Sequence, residues 1–159
     1  MPTKQAPSPV RERITLAAQE LAGLQTKVGY FESNKYPDGT PVAYVAAIQE
    51  FGYAEGGIPP RPFFRPTIIR ESNNWRALVA AGVRGIPTGK RTARQVMEAL
   101  GSQAAGDTRK TISEITTPPL KQSTLDARQS RGNSSTKPLV DTRVLLPTLT
   151  HVVETGGDE

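Results

Sequence analysis

Four of the nine residues from Ile58 to Pro66 are proline. Each proline fixes φ and removes a backbone donor, so the stretch fits neither a helix interior nor a central strand. With Gly56-Gly57 just before it, the span 53–66 is expected to be a loop or an extended arm. Its limited freedom lowers the entropy lost on docking, and it would present Phe63 and Phe64 between Arg61 and Arg65. On the residues alone, two roles stand open for these rings: anchoring on a neighbouring copy, or closing the chain's own core. Regular structure has to lie on either side of this tract.

On the N-terminal side, Ser8-Pro9 is a helix start, with serine as cap and proline at the first helical position. Val10, Ile14, Ala17, Leu21 and Leu24 follow at helical spacing, and the helix is expected to end near Gly23 to Gln25. A short strand is expected over Lys27 to Ser33, with Val28 and Tyr30 on one face, and a turn at Pro37-Asp38-Gly39. Thr40-Pro41 repeats the cap-plus-proline start, predicting a helix over Val42 to Phe51 with Val45, Ile48 and Phe51 inward, stopped by Gly52. On the C-terminal side, Pro66 is expected to open a helix to about Val83, with Ile68, Ile69, Trp75, Leu78 and Val79 buried. Thr92 caps a further helix carrying Val96, Leu100, Ala104, Thr108, Ile112 and Ile115, which Gly101 and Gly106 each weaken by about 1 kcal/mol relative to alanine. Residues 121–138 read as a flexible polar loop with its tip at Gly132 to Ser135. Leu139 to Leu146 is expected to be an apolar turn or short helix, and Thr148 to Glu154 a strand. The pattern predicts an α+β fold: several helices on a small, mostly antiparallel sheet, with a Pro-rich extended arm. It forms one domain over 8–154, between a flexible arm at 1–7 and a frayed tail at 155–159.

The inventory excludes several chemistries. The chain has 159 residues, no cysteine and one histidine, His151. Disulfides, thiolate nucleophiles and Cys-based zinc sites are absent, and His151 reads as a partly buried structural residue. No catalytic residue, metal or cofactor is expected. Gly85-Ile-Pro-Thr-Gly89 lacks the spacing of a phosphate-cradling loop, and Glu50 and Glu55 read as solvated surface. No apolar run suits a bilayer-spanning helix, and Met1 to Pro9 lacks the apolar core of a secretory signal, so a cytoplasmic site of synthesis is expected.

Charge is unevenly placed. Residues 57–139 carry fourteen bases and five acids, against five and six before them and one and four after. The basic middle fits a polyanion partner, pairing between copies, or a solvated face. Lys90, Arg91 and Arg94, at a helix start, are the candidate phosphate or partner contacts.

The segment Val42-Ala-Tyr-Val-Ala-Ala-Ile-Gln-Glu-Phe-Gly52, followed by Ile58-Pro-Pro-Arg-Pro-Phe-Phe-Arg-Pro66, resembles the tail-completion or head-tail joining (neck) proteins of long-tailed bacteriophages. Pro119-Leu120, Ser123-Thr124 and Lys137-Pro138-Leu139-Val140-Asp141-Thr142 are similar to a second series in that family. The motif positions are Gly52, Pro60, Pro62, Pro66, Pro138, Leu139, Asp141 and Thr142; Arg143 stands where the family usually has glycine, which puts the local turn in doubt. The resemblance implies a structural virion protein of the neck or tail, made in the host cytoplasm, and not an enzyme. It implies a homo-oligomeric ring, six copies matching tail symmetry, that completes the tail. Expected partners are the tail terminator or tail tube protein, the head connector or stopper, and phage DNA passing through the lumen; no membrane is involved. Intersubunit contacts are expected at Phe51, Arg61, Phe63, Phe64 and Arg65. The alternative is a basic accessory protein that contacts DNA phosphates.

Overall fold

The computed structural model describes residues 8–139 and 144–156. The fold is α+β, with six helices and a two-stranded antiparallel sheet among the described residues. In chain order these are α1 (Pro9–Ala22), β1 (Leu24–Gly29), α2 (Val42–Phe51), α3 (Phe64–Val83), α4 (Ala93–Glu114), α5 (Gln122–Ser130), α6 (Leu145–Thr148) and β2 (Thr150–Thr155). The chain divides into two compact units, each assembled from distant segments.

The first unit comprises Met1–Lys27, Asn73–Gln103 and His151–Glu159. Ser8 caps α1 through its side chain, accepting the Arg11 N–H at 3.4 Å, as the Ser-Pro start predicts. Of the expected α1 stripe only Ala17 is buried; Val10 and Ile14 are exposed, Leu21 is half-buried, and Leu24 falls in β1. α4 starts with a reciprocal box: the Thr92 hydroxyl accepts the Gln95 N–H at 3.1 Å, and the Gln95 amide oxygen accepts the Thr92 N–H at 3.0 Å. Two donors that the helix leaves orphaned are thereby satisfied. The α4 face meets both strands: Thr26 Oγ1 donates to the Met97 carbonyl at 3.1 Å, and Arg94 Nη1 to the Val153 carbonyl at 3.0 Å. Lys27 pairs with Glu154 across the strands at 2.8 Å. Thr155, expected to fray, is the last residue of β2, and the following Gly156 N–H donates to the Gly23 carbonyl at 2.8 Å.

The second unit comprises Val28–Ser72 and Ala104–Thr150. Its core is Val42 and Ala46 of α2, Phe63, Ile112 of α4, and Leu145 and Leu149 around α6. Five expectations are corrected here. β1 spans Leu24–Gly29, not Lys27 to Ser33. α2 has the expected bounds but buries Val42, Ala46 and Glu50, leaving Val45 and Ile48 half-buried and Phe51 exposed. Pro41 stands at its cap without a side-chain bond, while the Thr40 N–H donates to Asp38 Oδ1 at 2.9 Å. The expected flexible loop 121–138 holds α5, whose buried residue is Arg128; its Nη1 donates to the carbonyls of Ser135 and Lys137 at 3.0 and 2.8 Å, closing the returning chain. Ile68 and Ile69, expected inside, are 49% and 82% exposed. Val140 to Arg143, including Asp141 and Thr142, lie outside the described residues, as do residues 1–7 and the end of the tail.

Candidate functional site

The Pro-rich tract does not leave the body of its unit. Tyr53 and Ile58 exchange both backbone bonds at 2.9 Å, forming a narrow hairpin after α2. Gly52 makes the entry possible: its φ is +80°, and a methyl group there would lie 3.0 Å from Pro60 Cδ and 3.1 Å from the Ile58 carbonyl. Side chains are disfavoured on both counts. From Pro59 the chain runs back along α2, and the Arg61 N–H donates to the Gln49 carbonyl at 2.6 Å.

At Phe64 the chain turns into α3, two residues before Pro66. Proline is tolerated there because its missing N–H is one of the four donors that a helix start leaves orphaned. The other orphans meet Glu50, at the end of α2. Its Oε2 accepts the Phe63 and Phe64 N–H groups at 2.7 and 2.9 Å, and its Oε1 accepts the Arg65 N–H at 3.2 Å. Arg65 adds a charged bond from Nε to Oε1 at 2.9 Å and a second from Nη2 to the Glu50 carbonyl at 2.9 Å. Burial pushes the Glu50 carboxyl up, but these N–H donors and the Arg65 guanidinium outweigh it and hold the group below its ordinary value. Expected as solvated surface, Glu50 is instead buried at 3% exposure. Glu55 is exposed and accepts from the Tyr53 hydroxyl at 3.1 Å.

The five expected contact residues therefore divide. Phe63 is fully buried in the core, and Phe64 is half-buried, packed edge-on against Tyr30 at 6.3 Å between ring centroids. The expectation that these rings project from an arm is corrected: helix formation at Phe64 turns them inward. Arg61 is also buried, at 5% exposure, donating Nε to the Pro118 carbonyl at 2.9 Å and Nη2 to that of Pro119 at 3.2 Å. Phe51 remains exposed at 69%, with the Arg65 guanidinium 5.1 Å from its ring centroid. Ile68 and Ile69 follow Arg65 by three and four residues, so they share its side of α3. Tyr44, 59% exposed, lies two turns before Phe51 on α2. Periodicity could not reveal this apolar strip, because it assigned each of Phe51, Ile68 and Ile69 to the core.

Of the remaining motif positions, Gly52 and Pro66 are half-buried, Pro60 and Pro62 exposed, and Pro138 buried. Leu139 adopts φ 65°, a strained conformation for a branched side chain. In the other unit, Lys90 and Arg91 are exposed. Arg94 is committed to the fold through the Val153 carbonyl and a 3.9 Å pair with Glu98. His151 is half-buried, with Nε2 2.9 Å from the Glu98 carboxylate, the structural placement expected of it. Among the described residues no group of three His, Asp or Glu is placed to hold a metal ion, and no helix is long and apolar enough to cross a membrane.

No family model matches the chain, and neither a curated protein nor a solved structure matches it.

Proposed function

We propose that this chain is a structural virion protein from the neck or tail top of a long-tailed bacteriophage, and not an enzyme. In this reading it assembles as a ring that completes the tail and joins it to the head connector or stopper, with the tail terminator or tube protein on the other side. Six copies would match tail symmetry. The reading rests first on the tract Val42–Ile69, whose residues resemble those of tail-completion proteins.

One structural observation supports it. Within that tract Glu50 clamps Phe63 and Arg65, Arg61 ties it to Pro118 and Pro119, and Phe51, Ile68 and Ile69 are left facing solvent. Clustered large apolar side chains with a charged neighbour are a common mark of protein contact surfaces. In a ring of identical subunits each contact joins two different faces, so the strip would meet another part of the next copy. Exposed Lys90 and Arg91 suit passing phosphate contact in the lumen, which would depend on charge and not on base identity. The deciding experiment mixes purified protein with tails that lack it, and follows assembly by negative-stain imaging and native mass spectrometry. Joined tails carrying a ring are the expected result; a protein that stays monomeric and never joins tails would sink the reading. An accessory DNA-binding protein would instead bind free duplex, with affinity falling steeply as salt rises.

A further inference from the structure

Away from the apolar strip, a cavity of about 600 Å³ opens in the second unit between α2, the Tyr53–Ile58 hairpin and α5. This volume lies within the range of small-molecule sites. Val45, Ile58, Leu120, Leu139 and Leu145 give it an apolar wall, and Arg61, Lys121 and Arg128 bring three cations to it. Among the described residues the one carboxylate in the lining is Asp38.

Arg61 is the unusual member. It is buried, yet its three side-chain bonds all go to neutral acceptors: the Pro118 and Pro119 carbonyls and, at 3.4 Å, the Gln49 amide oxygen. A guanidinium has five N–H donors, so two remain beyond those three bonds. Among the described residues no carboxylate pairs with Arg61, although buried arginines are usually matched by an anion. Burial, and then the neighbouring Arg128, pull Arg61 below its ordinary value. Lys121 is exposed, and its ammonium lies over bare Gly57 backbone: a methyl group at Gly57 would sit 2.8 Å from Nζ.

We propose that this cavity binds a small ligand with one carboxylate on an apolar body, the carboxylate meeting Arg61 and Lys121 and the body meeting Val45, Ile58 and Leu145. Planar guanidinium matches a carboxylate with paired, charge-assisted bonds. Asp38 selects against more highly charged ligands. The Thr40 N–H and hydroxyl hold its carboxyl below the ordinary value, so a dianion in the cavity would face a fixed negative charge.

The test is an NMR titration of the full-length, ¹⁵N-labelled protein with 2-naphthoate, its uncharged analogue 2-naphthamide, and inorganic phosphate. Saturable shifts with 2-naphthoate are expected at Gly57, Ile58, Lys121 and Thr124 and at the Arg61 Nε–H. The amide should bind at least about tenfold more weakly, the loss of about one charge-assisted interaction, and phosphate should give no saturable shift. Because Arg61 supports the fold, the informative variant is exposed Lys121→Glu. It should weaken 2-naphthoate about tenfold and leave the amide unchanged, with the remaining spectrum preserved. Equal binding of acid and amide, phosphate matching 2-naphthoate, shifts scattered over other basic residues, or an unaffected Lys121→Glu would each overturn the assignment.

Discussion

The Glu50 carboxylate accepts the backbone N–H of Phe63 at 2.7 Å, thirteen residues further along the chain. This contact ties the end of α2 to the start of α3 and turns Phe63 into the core. Most of what distinguishes the clamp follows from it. Pro66 removes one orphan donor, and a single buried anion takes the others, complementing the positive end of the helix dipole.

Glu50→Gln keeps the shape but removes the charge and sets an amide donor against N–H groups. We expect a loss of about 2 to 4 kcal/mol in unfolding free energy, read by urea denaturation near neutral pH. A variant within about 0.5 kcal/mol of wild type would show that backbone geometry alone fixes the turn.

The same carboxylate predicts a pH dependence. Its folded value lies below the ordinary 4.5, so its stabilisation is fully present above the ordinary value and is lost as pH falls through the lower folded one. Urea midpoints followed from about pH 7 to about pH 3 should fall more steeply in wild type than in Glu50→Gln. Parallel curves would remove Glu50 as the source.

Two glycines of α4 should respond oppositely to alanine. At Gly106 a methyl group meets nothing within 4 Å, so Gly106→Ala should stabilise by about 0.5 to 1 kcal/mol through helix propensity. At Gly101 it would collide with His151 Cδ2 and lie 2.8 Å from Thr26 Cγ2. The ring must move away from Glu98, and Gly101→Ala should destabilise by about 1 to 3 kcal/mol despite the better propensity. Thermal unfolding of both variants gives the signs directly.

Burial also separates the aromatics. Phe63→Ala should cost about 3 to 5 kcal/mol by leaving a cavity. Phe51→Ser and Ile69→Asp should leave the unfolding midpoint nearly unchanged and abolish tail joining. Midpoints by circular dichroism, set beside tail joining in vitro, distinguish the two classes; exposed variants that still complete tails would free the strip from any contact role.

Local signals were legible where one residue decides the outcome. Ser8-Pro9 placed the start of α1, Gly52 the end of α2, and Thr92 the start of α4. The inward face of α2 was not legible, because what covers it is the returning Pro59 to Phe63 segment, whose path depends on the Tyr53–Ile58 hairpin. Glu50 looked like surface because its partners lie 13 to 15 residues away and are mostly backbone N–H groups, which leave no mark in side-chain patterns. α5 escaped because its buried residue is Arg128, whose Nη1 donates to two carbonyls, where periodicity looks for apolar side chains. The Pro-rich tract was rightly read as irregular up to Phe63, wrongly over Phe64 to Pro66, which open α3, and wrongly as projecting: rigidity does not decide whether a segment docks on its own chain or on another.

The virion reading is tested most directly by a reconstruction of the intact neck from phage carrying this chain. The account predicts density for the chain at the top of the tail tube, in a closed ring of six copies, with Phe51 and Ile69 at the boundary with a neighbouring protein. Intact, joined particles without this chain at the neck would contradict it.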